Sequence, residues 1–193
     1  MIKKMGKISH NNGFTLIELI VVIAVIAILA SVVAPNAFRA IEKSKIARVV
    51  HDSRSVKAAA YAMYSDTGLW PGSNWSDDPL DPLQGAALGE GFVDKGDDVD
   101  MPDTWEGPYL EKWTINPWGG FYYWDYNDGD QNLDGVNHEH VLWIDNGLNN
   151  ANKRIPTKSR TRIDEVLDNG NFATGTVQIW QATNFGYILV QGE

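Results

Sequence analysis

Apolar positions along the chain follow three regimes. From Phe14 to Pro35 there are 22 residues, of which only Glu18 is charged, and no polar face interrupts the run. At about 1.5 Å per residue, a helix of that length covers about 33 Å, enough for a bilayer hydrocarbon core of about 30 Å. A cleaved secretory signal would end an apolar stretch of about 7–15 residues at a small-residue site, whereas here the helical pattern continues. A membrane-inserted helix is therefore expected. Charge does not orient it, because Lys3, Lys4 and Lys7 on one flank face Arg39, Lys43 and Lys45 on the other.

The second regime is amphipathic. Ile46, Val49, Val56, Ala60 and Met63 recur at helical spacing with basic residues between them, so one face is apolar where the first stretch was apolar all round. The spacing predicts one helix running to about Tyr64 and stopped by Thr67-Gly68 and Pro71. Pro35 lies inside it, and its missing N–H predicts a kink or local loosening.

In the third regime the period shortens or vanishes. Residues 66–111 are rich in Gly, Pro and Asp and read as a long connecting loop. Asn116-Pro117 predicts a turn in which Gly119-Gly120 permits positive φ. Aromatic content then predicts a strand over Phe121–Tyr126, and Glu139–Asp145 alternates as its partner. A short helix capped near Thr157 and ended by Gly170 follows, with Ile163, Val166 and Leu167 inward. Strands over Thr176–Trp180 and Tyr187–Gln191 close the chain. The fold class expected is α+β: a long N-terminal helix packed on a small antiparallel β-sheet with long loops. Its divisions are 1–13 (a basic leader), 14–35, 36–64, 65–120 and 121–193.

Charge sharpens this picture. The 193 residues carry a formal charge of −9, yet 39–57 holds six basic groups against Glu42 and Asp52. Between Asp66 and Asp145 eighteen acids face only Lys95 and Lys112. An acidic chain lacks the concentrated basic face that a nucleic-acid binder needs, so no nucleic-acid partner is expected. The run Asp94, Asp97, Asp98, Asp100 and Asp103 reads as a solvated face. The absence of cysteine excludes disulfides, thiolate metal sites and cysteine nucleophiles. Of the eight tryptophans, Trp118, Trp124 and Trp143 fall where core packing would use them, against the alternative of a sugar-binding platform.

Glu18 is the anomaly. A carboxylate inside a membrane helix costs roughly 2.5–3.5 kcal/mol on insertion scales and calls for a partner or a role. The segment Gly13-Phe14-Thr15-Leu16-Ile17-Glu18, after a basic leader and with Pro35 at the twenty-second position after the glycine, resembles the N-terminus of type IV pilins and type II secretion pseudopilins. The resemblance implies a pilin-like fold and cleavage of Gly13–Phe14 by a prepilin peptidase on the cytoplasmic side, then N-methylation of Phe14. It assigns Gly13 and Phe14 to processing, and Glu18 and Pro35 to assembly. Cleavage creates an amine one helical turn from Glu18, and in a filament the amine of one subunit can reach the Glu18 of its neighbour. Such pairing penalises wrong register more than it adds net stability. The alternative is a glutamate that snorkels to the membrane edge.

Gly107-Pro108-Tyr109-Leu110 followed by Asn116-Pro117-Trp118-Gly119 is similar to the major pseudopilin subfamily, although Phe121-Tyr122 replaces its usual Asn-Pro-Tyr. That subfamily binds calcium in a loop of its β-region, but its usual ligand-bearing stretch is not recognisable here. Independently, Asp130-Gln131-Asn132-Leu133-Asp134-Gly135 matches the start of a calcium loop, whose alternate side chains converge on one point. The candidate ligands are Asp128, Asp130, Asn132, Asp134, the Val136 carbonyl and Glu139. Position twelve is Val141 rather than glutamate, and strands flank the loop in place of helices, so an EF-hand is not expected. A polar hairpin turn without metal is the alternative. His138-Glu139-His140 places two imidazoles on one strand face but lacks an evident third ligand for a transition metal.

The function expected is a structural subunit of a pilus-like filament, foremost a type II secretion pseudopilin. Its expected partners are other copies, other pilin-like subunits, the prepilin peptidase, an inner-membrane assembly platform and the membrane itself. The globular part is expected on the periplasmic or extracellular side. The alternatives are a major or minor pilin of a surface pilus, and a membrane-tethered glycan-binding module that never polymerises. No nucleophile–base constellation or phosphate loop is visible, so an enzyme is not expected.

Overall fold

The computed structural model describes residues 14–71, 92–93, 103–127, 139–144, 154–180 and 184–190. The elements in chain order are α1 (Leu16–Thr67), β1 (Tyr122–Asn127), β2 (Glu139–Ile144), α2 (Thr157–Leu167), β3 (Val177–Trp180) and β4 (Asn184–Val190). The chain divides into two compact units between Ile41 and Glu42.

In the first unit the residues of α1 from Leu16 to Ile41 are all exposed. The helix is unbroken at Pro35, so the expected loosening does not interrupt it. Proline denies the Ser31 carbonyl its usual donor four residues on. The Ser31 hydroxyl itself donates to the Ile28 carbonyl at 2.7 Å.

In the second unit the rest of α1 buries one face. Val49, Val56, Ala60 and Met63 are buried and Ile46 is half-buried, which is the predicted stripe; Val50, Ser53 and Ala59 widen it. The helix ends at Thr67, where Gly68 takes φ +72° and its N–H donates to the Tyr64 carbonyl at 2.8 Å. Glycine is favoured there because the left-handed conformation crowds a Cβ.

The sheet is antiparallel throughout, in the order β1-β2-β4-β3. Tyr122 faces Ile144 and Trp124 faces Leu142 across β1 and β2, while Leu142 faces Tyr187 and Val177 faces Tyr187 across the next two pairs. Tyr122, Trp124, Leu142, Ile144, Val177, Tyr187 and Leu189 join the buried residues of α1 and α2 in one core. A second, smaller cluster of Val141, Trp143 and Ile188 contains the alternate positions of β2 and β4. All six β2 residues are buried, so the inward/outward alternation read from its sequence does not hold. A strand with neighbours on both edges and apolar side chains on both faces is buried on both.

The loops are tied down by aromatic donors. Phe92, fully buried, accepts hydrogen bonds at its carbonyl from the N–H groups of Tyr109 and Leu110, at 2.7 and 2.9 Å. Trp124 Nε1 donates to the Pro71 carbonyl at 2.8 Å, and the Tyr109 hydroxyl donates to Asp66 at 2.9 Å. The turn predicted at Asn116-Pro117 is present: Asn116 Oδ1 accepts from Trp118 N at 2.9 Å, and Gly119 N donates to the Asn116 carbonyl at 2.8 Å. Of the glycine pair only Gly119 takes positive φ, at +88°.

α2 corrects three expectations. Pro156 is its N-cap and contributes no side-chain capping bond; the Thr157 hydroxyl instead accepts from Arg160 at 3.3 Å. The helix stops at Leu167, three residues short of Gly170, and Asp168 Oδ2 accepts the Thr176 N–H at 2.6 Å. Of the three residues expected inward, Ile163 is buried and Leu167 is half-buried against the core, while Val166 is 41% exposed; Ser159 and Asp164 complete the buried face. The Ser159 hydroxyl donates to the Glu42 carboxylate on α1, and Ile163 on the same side of α2 joins the core. The closing strands also shift by a few residues, to Val177–Trp180 and Asn184–Val190.

Candidate assembly and metal sites

Gly13 lies outside the described residues, so the N-terminal site is built from Phe14 onward. Phe14 is 81% exposed, and Phe14, Ile17, Glu18, Val21 and Val22 line a shallow groove of about 360 Å³ on this helix. Within it Glu18 is not alone. Glu18 Oε2 accepts from Thr15 N at 2.9 Å and from the Thr15 hydroxyl at 2.7 Å, while Glu18 N donates to Thr15 Oγ1 at 3.3 Å. With the helix beginning at Leu16, this is a reciprocal capping box: Thr15 is the N-cap and Glu18 the third helical residue.

The box changes the energetics of Glu18. The carboxylate is held by its own chain, so a subunit without neighbours does not carry the whole cost of an unanswered acid. The helix N-terminus also favours negative charge there. The Thr-x-x-Glu spacing was in the sequence, and it is the signal that reading Glu18 only as an intersubunit ion-pair partner passes over. Pro35, the other assembly residue, lies on the same exposed helix at its own position with no described contact to Glu18.

Of the calcium-type residues, Asp128, Asp130, Asn132, Asp134 and Val136 lie outside the described residues. The two ends of their loop are described. Asn127 of β1 faces Glu139 of β2 across the ladder, so residues 128–138 connect the two strands of a hairpin. Glu139, at its foot, is fully buried. Among the described residues no cluster of three or more His, Asp or Glu side chains stands ready for a metal. A buried carboxylate beside an Asp/Asn-rich loop does fit the hard-oxygen chemistry of calcium, which would offset the desolvation of that charge.

His140, singled out with His138, stacks on Trp124 with ring centroids 5.5 Å apart and lies 5.2 Å from Trp70. Burial pushes its pKa down to about 4. The neutral imidazole belongs to an aromatic cluster that also contains Tyr61 and Tyr64, both against Trp70. Trp124 and Trp143 are buried, as core packing requires, and Trp118 is half-buried with Lys45 Nζ 5.3 Å from its ring centroid.

Comparison with known proteins adds three findings. A family described as the prokaryotic N-terminal methylation motif matches residues 8–34, and one described as PilW, C-terminal, matches residues 40–137. The type II secretion system core protein G of Pseudomonas aeruginosa is 31% identical over 113 residues, spanning 58% of this chain and 70% of that protein. No solved structure matches the chain.

Proposed function

This chain belongs to the pilin and pseudopilin family of filament subunits, and from that premise we propose that it is a type II secretion pseudopilin. The observation that carries the proposal is α1 from Leu16 to Ile41: an exposed apolar helix, opened by a capped carboxylate and long enough to cross a membrane. Similarity to core protein G supports the secretion assignment over other family roles. In this reading a prepilin peptidase cleaves Gly13–Phe14 and Phe14 is N-methylated. The freed amine of one subunit then meets the Glu18 of its neighbour, which is already oriented by Thr15. The subunit is structural rather than catalytic. It waits in the inner membrane, with its globular part on the far side from the leader, until an assembly platform adds it to the filament.

Calcium held by residues 128–139 braces the hairpin in this proposal. EGTA is then expected to lower the melting temperature and expose 125–145 to protease. An unchanged melt, with no calcium in the purified protein, removes the metal.

A second reading, a pilin of a surface pilus, is favoured by the region from Thr157 to Val190, where a helix and hairpin resemble the elaborated C-terminal regions of variable pilins. Deletion separates the two: cargo enzymes stranded in the periplasm support secretion, and loss of twitching supports a pilus. Mass spectrometry of the native chain tests both together. A chain that begins at Phe14 with one added methyl group is expected, and one that still begins at Met1 overturns the proposal.

A further inference from the structure

We propose that a groove between α1 and α2 receives the acidic segment Asp94–Asp103 of a second copy of this chain. The inference rests on the filament reading and adds to the apolar helix an ionic contact between successive subunits. The groove encloses about 730 Å³. Lys43, Ile46, Val50 and Arg54 line it from α1, and Arg162 and Val166 from α2. It therefore offers apolar surface and positive charge together, and none of its lining residues carries a carboxylate.

Not all of that charge is available. Arg162 pairs with Glu165 at 2.6 Å, and His51 at the groove's edge lies 3.5 Å from Asp52. Lys43 and Arg54 make no ion pair among the described residues. Arg54 spans the groove, donating to the Val166 carbonyl at 3.4 Å. Two cations thus stand beside an apolar lining with no ion pair to an acid among the described residues.

The complementary charge is the densest run of acids in the sequence. Between residues 94 and 103 five aspartates face only Lys95, and Asp98-Val99-Asp100-Met101 alternates acid with apolar side chains. Acidic and apolar residues side by side in the segment match a groove that has both basic and apolar lining. Groove and segment are different patches of one chain, so a contact between copies is head-to-tail. A contact of that kind closes into a ring or, where its rotation does not close, propagates as a filament, and the filament reading takes the second. Exposed ion pairs are individually weak and screened by salt, so their part is to select register and speed encounter.

The chain has no cysteine, which makes disulfide trapping specific. Ser55 lines the groove, and the test places Ser55→Cys and Asp98→Cys together in the full chain in its native membrane, then oxidises. A ladder of disulfide-linked multimers is expected. It should disappear at high salt and in Lys43→Glu/Arg54→Glu, and return when Asp97→Lys/Asp100→Lys is added to that variant. A parallel chain with Ile20→Cys and Ala30→Cys reports contact between apolar helices. If that control gives no ladder, the filament reading fails, and this inference with it. If the control ladder forms while the groove pair yields only intrachain disulfides, adducts to another protein or no product, the filament reading stands and the groove assignment is overturned.

Discussion

Val25 and Val49 are the same residue type on one helix, yet Val25 is half exposed and Val49 is wholly buried. The difference runs through both regions. Up to Ile41, every residue of α1 is exposed among the described residues. After Glu42, the apolar stripe is covered by the sheet, by Phe92 and by Ile163. One region is finished by folding, while the other needs lipid or neighbouring subunits to remove its surface from water. Truncation should therefore act on folding in one region and on assembly in the other.

The largest effect expected is in the finished region. Trp124→Ala removes a fully buried ring that packs on Phe92 and His140 and donates to Pro71, and should cost about 3–5 kcal/mol in a urea melt of the full chain in detergent. Ile23→Ala in the exposed region should leave that melt unchanged. If the two variants melt alike, the division between the regions is wrong.

Next in size is a pH effect confined to the globule. His140 is held near pKa 4 against 6.5 in the unfolded chain, so between those values the unfolded state binds more protons. Stability is full above about pH 6.5 and falls as pH drops toward 4, by on the order of 2 kcal/mol after solvent screening. Asp164 runs the other way: burial, then its Asp168 neighbour, raises its pKa from 3.8 to about 6, so its contribution is lost as pH rises through that range. His140→Phe should flatten the acid limb, and Asp164→Asn should remove the opposing trend. Equal pH slopes in wild type and His140→Phe would sink the assignment.

The smallest effect belongs to the unfinished region. Thr15→Val removes the hydroxyl of the capping box and should weaken the first turn by about 1 kcal/mol. The globule's melt should not move, whereas the filament yield should drop in immunoblots of cross-linked whole cells. A wild-type yield would show that the box is dispensable.

Much of this was legible in local patterns. The stripe from Ile46 to Met63, the end of α1 near Gly68, the hairpin strands and the Asn116 turn all follow from periodicity or turn chemistry acting over a few residues. What was not legible depends on contacts distant in sequence. The insertion of β4 between β2 and β3 is set by packing, and so is the burial of β2 on both faces. Phe92, in a stretch that reads as loop, becomes a core residue because its ring packs on Trp113 and Trp124, while the N–H groups of Tyr109 and Leu110 hold its carbonyl. Val166 is exposed and Asp164 buried because α2 packs the side holding Ser159 and Ile163 inward, against partners distant in sequence and invisible in a short helical period. At the N-terminal site the motif showed the residues, and the Thr-x-x-Glu spacing already held the local pairing of Thr15 with Glu18 that the geometry makes explicit.

The central claim is that the exposed region is completed by other copies through Glu18. Glu18→Leu, produced at native level in its own membrane, tests it by reading cleavage and filament formation from the same cells. The account predicts a chain processed at Gly13–Phe14 that fails to form filaments. Filaments equal in number and length to wild type would contradict it.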